Sequence, residues 1–428
     1  MELQPAPTKR LPAIRSPFGV LGRVPTGRTE EVCGAELDDL ATLVDYSLLK
    51  PIGDDRFYML ETIGEYTLEK LREGNEEDEL RRRHAAFFSA LAEQAYIHRS
   101  DAEVEWSARL EKDHDDLRAA LDWLSGDDPD RALWLVGVLG WFWLSRGLLR
   151  EGCGRISAAL AASSLTGRLR ARALTWSGVL VARHGDAAAG IAQLDAAVAM
   201  WRELGDLDEL ASALDNLGWP LVYDADDNSR ALEAFEESLE LRRQLGDAAG
   251  MTRALVGIAQ VLVAMAETAH AEAISLDLLE RAAGDARTEH LAYHFLADCA
   301  LIRGDPEEAG TRYRHSLRAA LALVDIVETS FEVQGVAMSE AGAGDPRRAL
   351  ILAESVEALR ESLGLSISMA FWDALLERYL APARASLGDE YDAIRADGRA
   401  LPFDDAVALA LHDDAPLAPA RNAKPGNS

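Results

Sequence analysis

Two stretches carry residue types at spacings that could do chemistry. The first is GRVPTGRTEEV, residues 22–32, in which Gly22 and Gly27 are spaced as in the phosphate-binding pattern G-x-x-x-x-G-K-[ST] and Thr29 fills the last slot. Such a loop works because a strand delivers glycine-rich backbone to a helix N-terminus while a lysine reaches the phosphates. Here Arg28 replaces the lysine, Pro25 removes an amide donor, and no strand reads convincingly before Gly22. No apolar run ending in acidic residues follows to hold magnesium. The pattern therefore predicts no nucleotide hydrolysis, and a degenerate P-loop NTPase is the weakest of the readings weighed.

The second stretch is EHLAYHFLADC, where His290, His294 and Asp298 recur every four residues with Cys299 next. On a helix the three face one way, one turn apart. Zinc accepts such ligands, but three of them stacked over two turns span about 11–12 Å, too far to share one ion. The expectation is a polar helix face without a metal. No Ser-His-Asp or Cys-His arrangement follows from spacing, so the chain reads as a non-enzyme that needs no cofactor.

The elements that must position these residues are helices. The chain has 428 residues, about half apolar, with a formal charge of −29 and a pI near 4.7. That charge repels nucleic acid unless a basic patch overrides it, and none is evident beyond Lys9, Arg10 and Arg15. Three distant cysteines, Cys33, Cys153 and Cys299, suit a reducing cytoplasm rather than a disulfide framework. The N-terminus shows no apolar signal region. The most apolar run, ALWLVGVLGWFWL at 132–144, has 13 residues against the roughly 20 that a membrane span needs. It reads as a buried helix, with Trp141, Phe142 and Trp143 as core. A cytoplasmic protein with no membrane contact is expected.

Residues 1–27 are rich in Pro and Arg without periodicity and read as a disordered tail. AELDDLATLVDYSLL reads as a helix; LLKPI and RFYML, split by GDD, read as a hairpin; ETIGEYTLEKL returns to helical spacing. Helix, hairpin, helix over 28–74 is the back half of a winged helix. Long helices over 75–165 form a bridge. From 166 to 388 the chain repeats. Gly178, Gly218, Ala259, Ala297 and Ala337 lie midway along successive first helices. Gly190, Ala231, Ala271, Ala309 and Ala349 follow in second helices, spaced 41, 40, 38 and 40 residues apart. Larger residues, Leu194, Phe235 and Tyr313, often come four later. Gly-Asp pairs recur at 185–186, 205–206, 246–247, 284–285, 304–305 and 344–345. Helices pack closely only where small side chains let backbones approach, and a hairpin buries its apolar stripe only by stacking on another. Glycine then supplies the left-handed cap and aspartate starts the next helix. Capping helices at 389–412 and a disordered tail at 413–428 complete an all-α, tetratricopeptide-type helical-hairpin solenoid.

Several strings resemble one family: LATLVDYSLL, YMLETIGEYTLEKL, RRRHAAFFSALAE, KDHDDLRAALDWL and ASLGDEYDAIRADGRALPFDDAVALAL. Their order and spacing look like the C-terminal half of actinobacterial STAND-type regulators that carry SARP or LuxR-type output domains. The match runs from about residue 30 to 411. The resemblance implies an NTPase core followed by a winged helix, a helical bridge and a repeat sensor that receives an inducer or partner. The chain departs from the pattern in leaving about 30 residues for the NTPase core and no output helix-turn-helix after 411. Tyr46 also stands for the usual lysine and Gly64 for the usual arginine.

In solenoids of this class the first helices line the concave face. Offset from the small packing residues, the groove positions expected here are Arg172, Asp215, Trp219, Arg253, Gln260, His294, Asp298 and Gln334. Mixed charge with an indole suits a protein partner or a small effector, and Arg172 and Arg253 would anchor an anionic one. The leading reading is a non-enzymatic sensor or scaffold in a STAND-type transcription-regulating system, docking on a separate NTPase or regulator subunit. The alternative is a regulator binding DNA through the winged-helix segment. Against it, that segment's first helix region holds Glu36, Asp38, Asp39 and Asp45 with no basic residue before Lys50.

Overall fold

The computed structural model describes residues 23–25, 32, 37–52, 56–99, 102–223, 227–282, 284–363 and 369–412. The chain divides into two compact units, residues 1–204 and 205–428. The division falls inside the 166–388 span read as repeats, after its first hairpin.

In the first unit, β1 (Arg23–Pro25), α1 (Leu37–Asp45), β2 (Leu49–Ile52), β3 (Arg56–Met59) and α2 (Glu61–Glu73) come first. Its sheet is antiparallel with order β1-β3-β2. Proline cannot donate to a ladder and so belongs on sheet edges. Pro25 and Pro51 lie on the two edge strands, opposite Arg56 and Phe57 of the central one. The hairpin of β2 and β3 is as the alternating apolar runs predict. Strand β1 is a correction, because a chain without periodicity read as tail: Arg23–Pro25 pairs with β3, and the pairing, not any alternation of its own, defines the strand. The remaining residues of the 1–27 span, like Gly22, Gly27, Arg28, Thr29 and Cys33, lie outside the described residues. The 413–428 tail lies outside them too.

Seven helices complete this unit: α3 (Glu77–Ile97), α4 (Glu103–Lys112), α5 (His114–Asp127), α6 (Pro129–Ser145), α7 (Leu149–Ala162), α8 (Arg168–Arg183) and α9 (Ala187–Leu204). Helix α6 is the apolar 132–144 run. Asp128 caps it, Pro129 opens it, and Trp141, Phe142 and Trp143 are buried. A helix apolar on all sides belongs in a core, and α6 lies against α5, α7 and α8.

The second unit contains α10 (Leu207–Tyr223), α11 (Asn228–Leu245), α12 (Ala248–Ala264), α13 (Thr268–Ala282), α14 (Ala286–Arg303), α15 (Pro306–Leu323), α16 (Ile326–Ala343) and α17 (Pro346–Leu363). Helices α18 (Ala370–Leu387), α19 (Tyr391–Ala400) and α20 (Phe403–Leu411) close it. Each helix from α10 to α18 packs on its neighbours in sequence, and alternate helices such as α12 and α14 also touch. This is the stacking that single hairpins require.

The predicted turn chemistry is present. Asp247, Asp285, Asp305, Asp325 and Asp345 accept backbone N–H bonds from the first turns of their helices. Gly246 and Gly304 take the left-handed conformation at helix ends. The close approaches are present as well. A Cβ on Gly178 would stand 2.8 Å from the carbonyl of Gly190, and one on Gly218 would stand 2.4 Å from the ring of Phe235. The fold is all-α and of the tetratricopeptide type, apart from the small sheet of β1, β2 and β3.

Candidate functional site

The expected groove residues fall into linked groups, mostly buried. Arg172 belongs to the first unit, where its guanidinium lies 4.9 Å from the ring centre of Tyr96. The other seven belong to the second unit.

Asp215 on α10 and Arg253 on α12 meet through a third residue that spacing alone did not single out. Arg242 on α11 is 2 % exposed. Its Nη1 donates to Asp208 and, at 3.0 Å, to Asp247 Oδ2, and its Nη2 donates to Ser212 Oγ at 2.6 Å. Asp215 Oδ2 is 3.9 Å from the same Nη2. Burial pushes the Asp215 carboxyl up to about 6, against the pull of the Ser238 hydroxyl and of Arg242 and Arg253. Arg253, with 58 % of its side chain exposed, stands 3.8 Å from Asp247.

Trp219 and Gln260 are joined by Tyr223. The indole stacks on the Tyr223 ring, centroids 5.7 Å apart, and meets Phe235 edge-on at 5.2 Å. The Tyr223 hydroxyl donates to Gln260 Oε1 at 3.3 Å. Gln260 is buried, and its Nε2 has no hydrogen-bond partner.

His294, Asp298 and Gln334 come together around Trp372 of α18. His294 Nδ1 is 2.7 Å from Glu332 Oε1, and its Nε2 is 3.4 Å from Asp298 Oδ2. Both carboxylates are wholly buried. Burial alone would lower the imidazole, but Asp298 and Glu332 outweigh it and raise His294 to about 10. Burial likewise raises Asp298 to about 6, although His294 and a 2.5 Å bond from the Tyr313 hydroxyl oppose it. His290 is bonded to Ser316 at 2.8 Å and faces Glu328 at 3.3 Å. The His294 ring stacks on Trp372 at 5.5 Å, and Trp372 Nε1 donates to Gln334 Oε1 at 2.8 Å. The same Oε1 accepts from Arg360 Nη1 at 3.0 Å.

The face bearing His290, His294 and Asp298 is polar as expected, but it is covered by α16 and α18 rather than open. Gln260, Asp298 and Gln334 are interior residues that hold others in place. Arg253, Trp219 and the edge of His294 retain exposure. The residues missed are Arg242, Arg360 and Trp372, because second-helix and closing-helix side chains reach back to the first helices, and Glu332, which pairs with the histidine of the preceding first helix. Among the described residues no group of three or more His, Cys, Asp or Glu is arranged to hold a metal ion. No helix there is long and apolar enough to cross a membrane. In the phosphate-loop pattern, Arg23–Pro25 spend their backbone on pairing with β3, whereas a phosphate cradle needs such backbone unpaired.

No protein-family model matches the chain. Proteins of Mycobacterium bovis and Mycobacterium tuberculosis that carry the name HTH-type transcriptional regulator are 33% identical to it over 226 residues, covering 49% of this chain and 25% of theirs. The chain thus spans a quarter of the length of the curated relatives it matches. A signal transduction ATPase with numerous domains from Pyrococcus horikoshii, with a tetratricopeptide repeat sensor, has the same fold. Its TM-score is 0.52 at 14% identity, over 93% of this chain and 62% of that one. A tetratricopeptide repeat protein of Parabacteroides merdae aligns with a TM-score of 0.44 at 16% identity, over 68% and 99%.

Proposed function

We propose that this protein is a non-enzymatic regulatory receptor that binds a protein partner or a small effector on the first-helix face of its repeat array. It would act within a STAND-type system that regulates transcription. The observation that carries the reading is the succession of linked polar and aromatic groups on α10, α12, α14 and α16. A repeat array needs only apolar contact to stand, yet here a buried scaffold of Gln260, Asp298 and Gln334 holds partly exposed Trp219 and His294, with the exposed Arg253 alongside. Side chains locked in this way lose little entropy when a partner arrives. The mycobacterial relatives, named as transcriptional regulators, support the regulatory role. A separate NTPase or regulator subunit is the partner that the resemblance suggests.

The test is a calorimetric and thermal-shift screen of the full chain against peptides and metabolites, repeated with Trp219→Ala and Arg253→Ala. A hit should weaken at least tenfold, about 1.4 kcal/mol, in one of the two. Hits indifferent to both substitutions would place recognition elsewhere. Phosphate release from ATP and magnesium by the pure chain would end the non-enzymatic part of the reading.

The relatives' helix-turn-helix name also favours a second reading, direct DNA binding through the winged-helix segment. Asp38, Asp39 and Asp45 on α1 weigh against it. A salt-sensitive gel shift with duplex DNA would reverse that order.

A further inference from the structure

The repeats provide an internal control for one buried charge. Arg242 and Arg360 each stand four residues before the glycine that follows their second helices, Gly246 and Gly364. The preceding first helices are placed in register by their capping aspartates, Asp206 and Asp325. In that register Asp208 corresponds to Val327 and Asp215 to Gln334. Arg242 has carboxylates at both places, and Arg360 has none.

Arg360 is nonetheless interior, 7 % exposed. Its Nη1 bonds to the neutral Gln334 Oε1 at 3.0 Å, and its Nη2 reaches Ser330 Oγ at 3.4 Å. Its Nε has no partner. Its guanidinium lies over the Phe331 ring at 4.6 Å. Two carboxylates face it: Glu357, 4.0 Å away and half exposed, and Asp373 of α18. Desolvation outweighs both and pulls the guanidinium below its ordinary value. A buried cation short of its partner is costly, and a planar guanidinium binds carboxylate and phosphate through paired N–H bonds.

We propose that Arg360 is an anchor for an oxyanion carried by the effector, seated where Asp208 and Asp215 face Arg242. Phe331 and Trp372 beside it suit an apolar, flat remainder. This inference rests on the reading of the second unit as a receptor and names the ligand's charge.

The test uses the full chain with sodium benzoate or sodium phosphate, each against sodium chloride at equal ionic strength. The melting temperature should rise by about 5 °C once a probe stands at roughly a hundred times its dissociation constant. A benzoate response alone assigns the seat to carboxylates, and a phosphate response alone to phosphoryl groups. Arg360→Met should abolish the rise. Gln334→Glu, which keeps Arg360 and supplies the missing carboxylate from within, should weaken probe binding at least tenfold. No rise above chloride in the natural chain, or a rise unchanged in either variant, overturns the proposal. An effector that loses affinity with Trp219→Ala but ignores Gln334→Glu would remove this inference and leave the receptor reading in place.

Discussion

His294 is clamped between carboxylates from two helices: its Nδ1 meets Glu332 of α16 at 2.7 Å while its Nε2 faces Asp298, one turn along its own helix, at 3.4 Å. The clamp ties α14 to α16, and the stacked Trp372 ties both to α18. A buried imidazolium is stable here only because two anions face it.

The clamp has a pH signature. His294 is raised from 6.5 to about 10, so its contribution to stability is complete below pH 6.5 and is lost as pH climbs through 10. Asp298, raised from 3.8 to about 6, has the opposite chemistry but the same slope. Its burial costs nothing below 3.8 and its full amount above 6. Between pH 7 and 10, therefore, His294 is the one of the two that titrates. Stability should fall across that window by a few kcal/mol, on the order of 3. His294→Gln should start lower, with two carboxylates lacking a cation, and should decline less. Melting curves of the two proteins that run parallel from pH 7 to 10 would refute the assignment.

The glycine contacts predict a cost that can be rescued. Gly218 and Gly257 both receive the Phe235 ring, each so closely that a Cβ would stand 2.4 Å from it. Gly218→Ala should destabilise the second unit by roughly 1–3 kcal/mol through overpacking. Adding Phe235→Leu should return part of that loss, whereas independent sites would add. Chemical denaturation of the two single variants and the double variant measures the coupling.

What the sequence reveals and what it conceals differ in a consistent way. The small residues at Gly178, Gly190, Gly218 and Ala231 and the Gly-Asp turns are legible because each acts on backbone nearby in sequence. The hairpin of β2 and β3 is legible from the alternation of LLKPI and RFYML. Strand β1 is not, because Arg23–Pro25 owes its form to a partner more than thirty residues away. The exposure of the groove row is not legible either. Gln334 and Asp298 lie on the expected helix face, but Trp372 and Tyr313, from later helices, lie over them. Arg242 and Arg360 would have been found by aligning second helices on the glycine that ends them, a signal present in the sequence but hidden while attention stays on first helices.

One turn departs from its own repeat. Where Gly205, Gly246 and Gly284 take positive φ, the corresponding residue is Val324, at φ 56° and 91 % exposed. A β-branched side chain in that region is strained by roughly 1–2 kcal/mol, and solvent on all sides offers it no compensating contact. Val324→Gly should stabilise the second unit by about 1 kcal/mol after the added freedom of the unfolded chain is subtracted. For a unit of this size the melting temperature should rise by about 2–4 °C. A lower melting temperature would mean that the turn depends on valine for a contact it does not make in this structure.

The two interior arginines should respond unequally to the same truncation. Removing Arg242 strands Asp215 in the interior and frees Asp208 and Asp247 from the bonds they make to its Nη1. Arg242→Met should therefore cost about 3 kcal/mol, the lower end of what breaking a buried pair costs, because Asp208 is largely solvated. Removing Arg360 relieves a desolvated cation, frees the oxygens of Gln334 and Ser330 and gives up the 4.0 Å pairing with half-exposed Glu357, and Trp372 still donates to Gln334. Arg360→Met, measured in chloride, should lie within about 1 kcal/mol of the natural chain, since a methionine fills similar volume without the charge. Urea denaturation of both variants compares them directly. Equal losses would show that Arg360 is as well paired as Arg242, and that its seat holds no place for an outside anion.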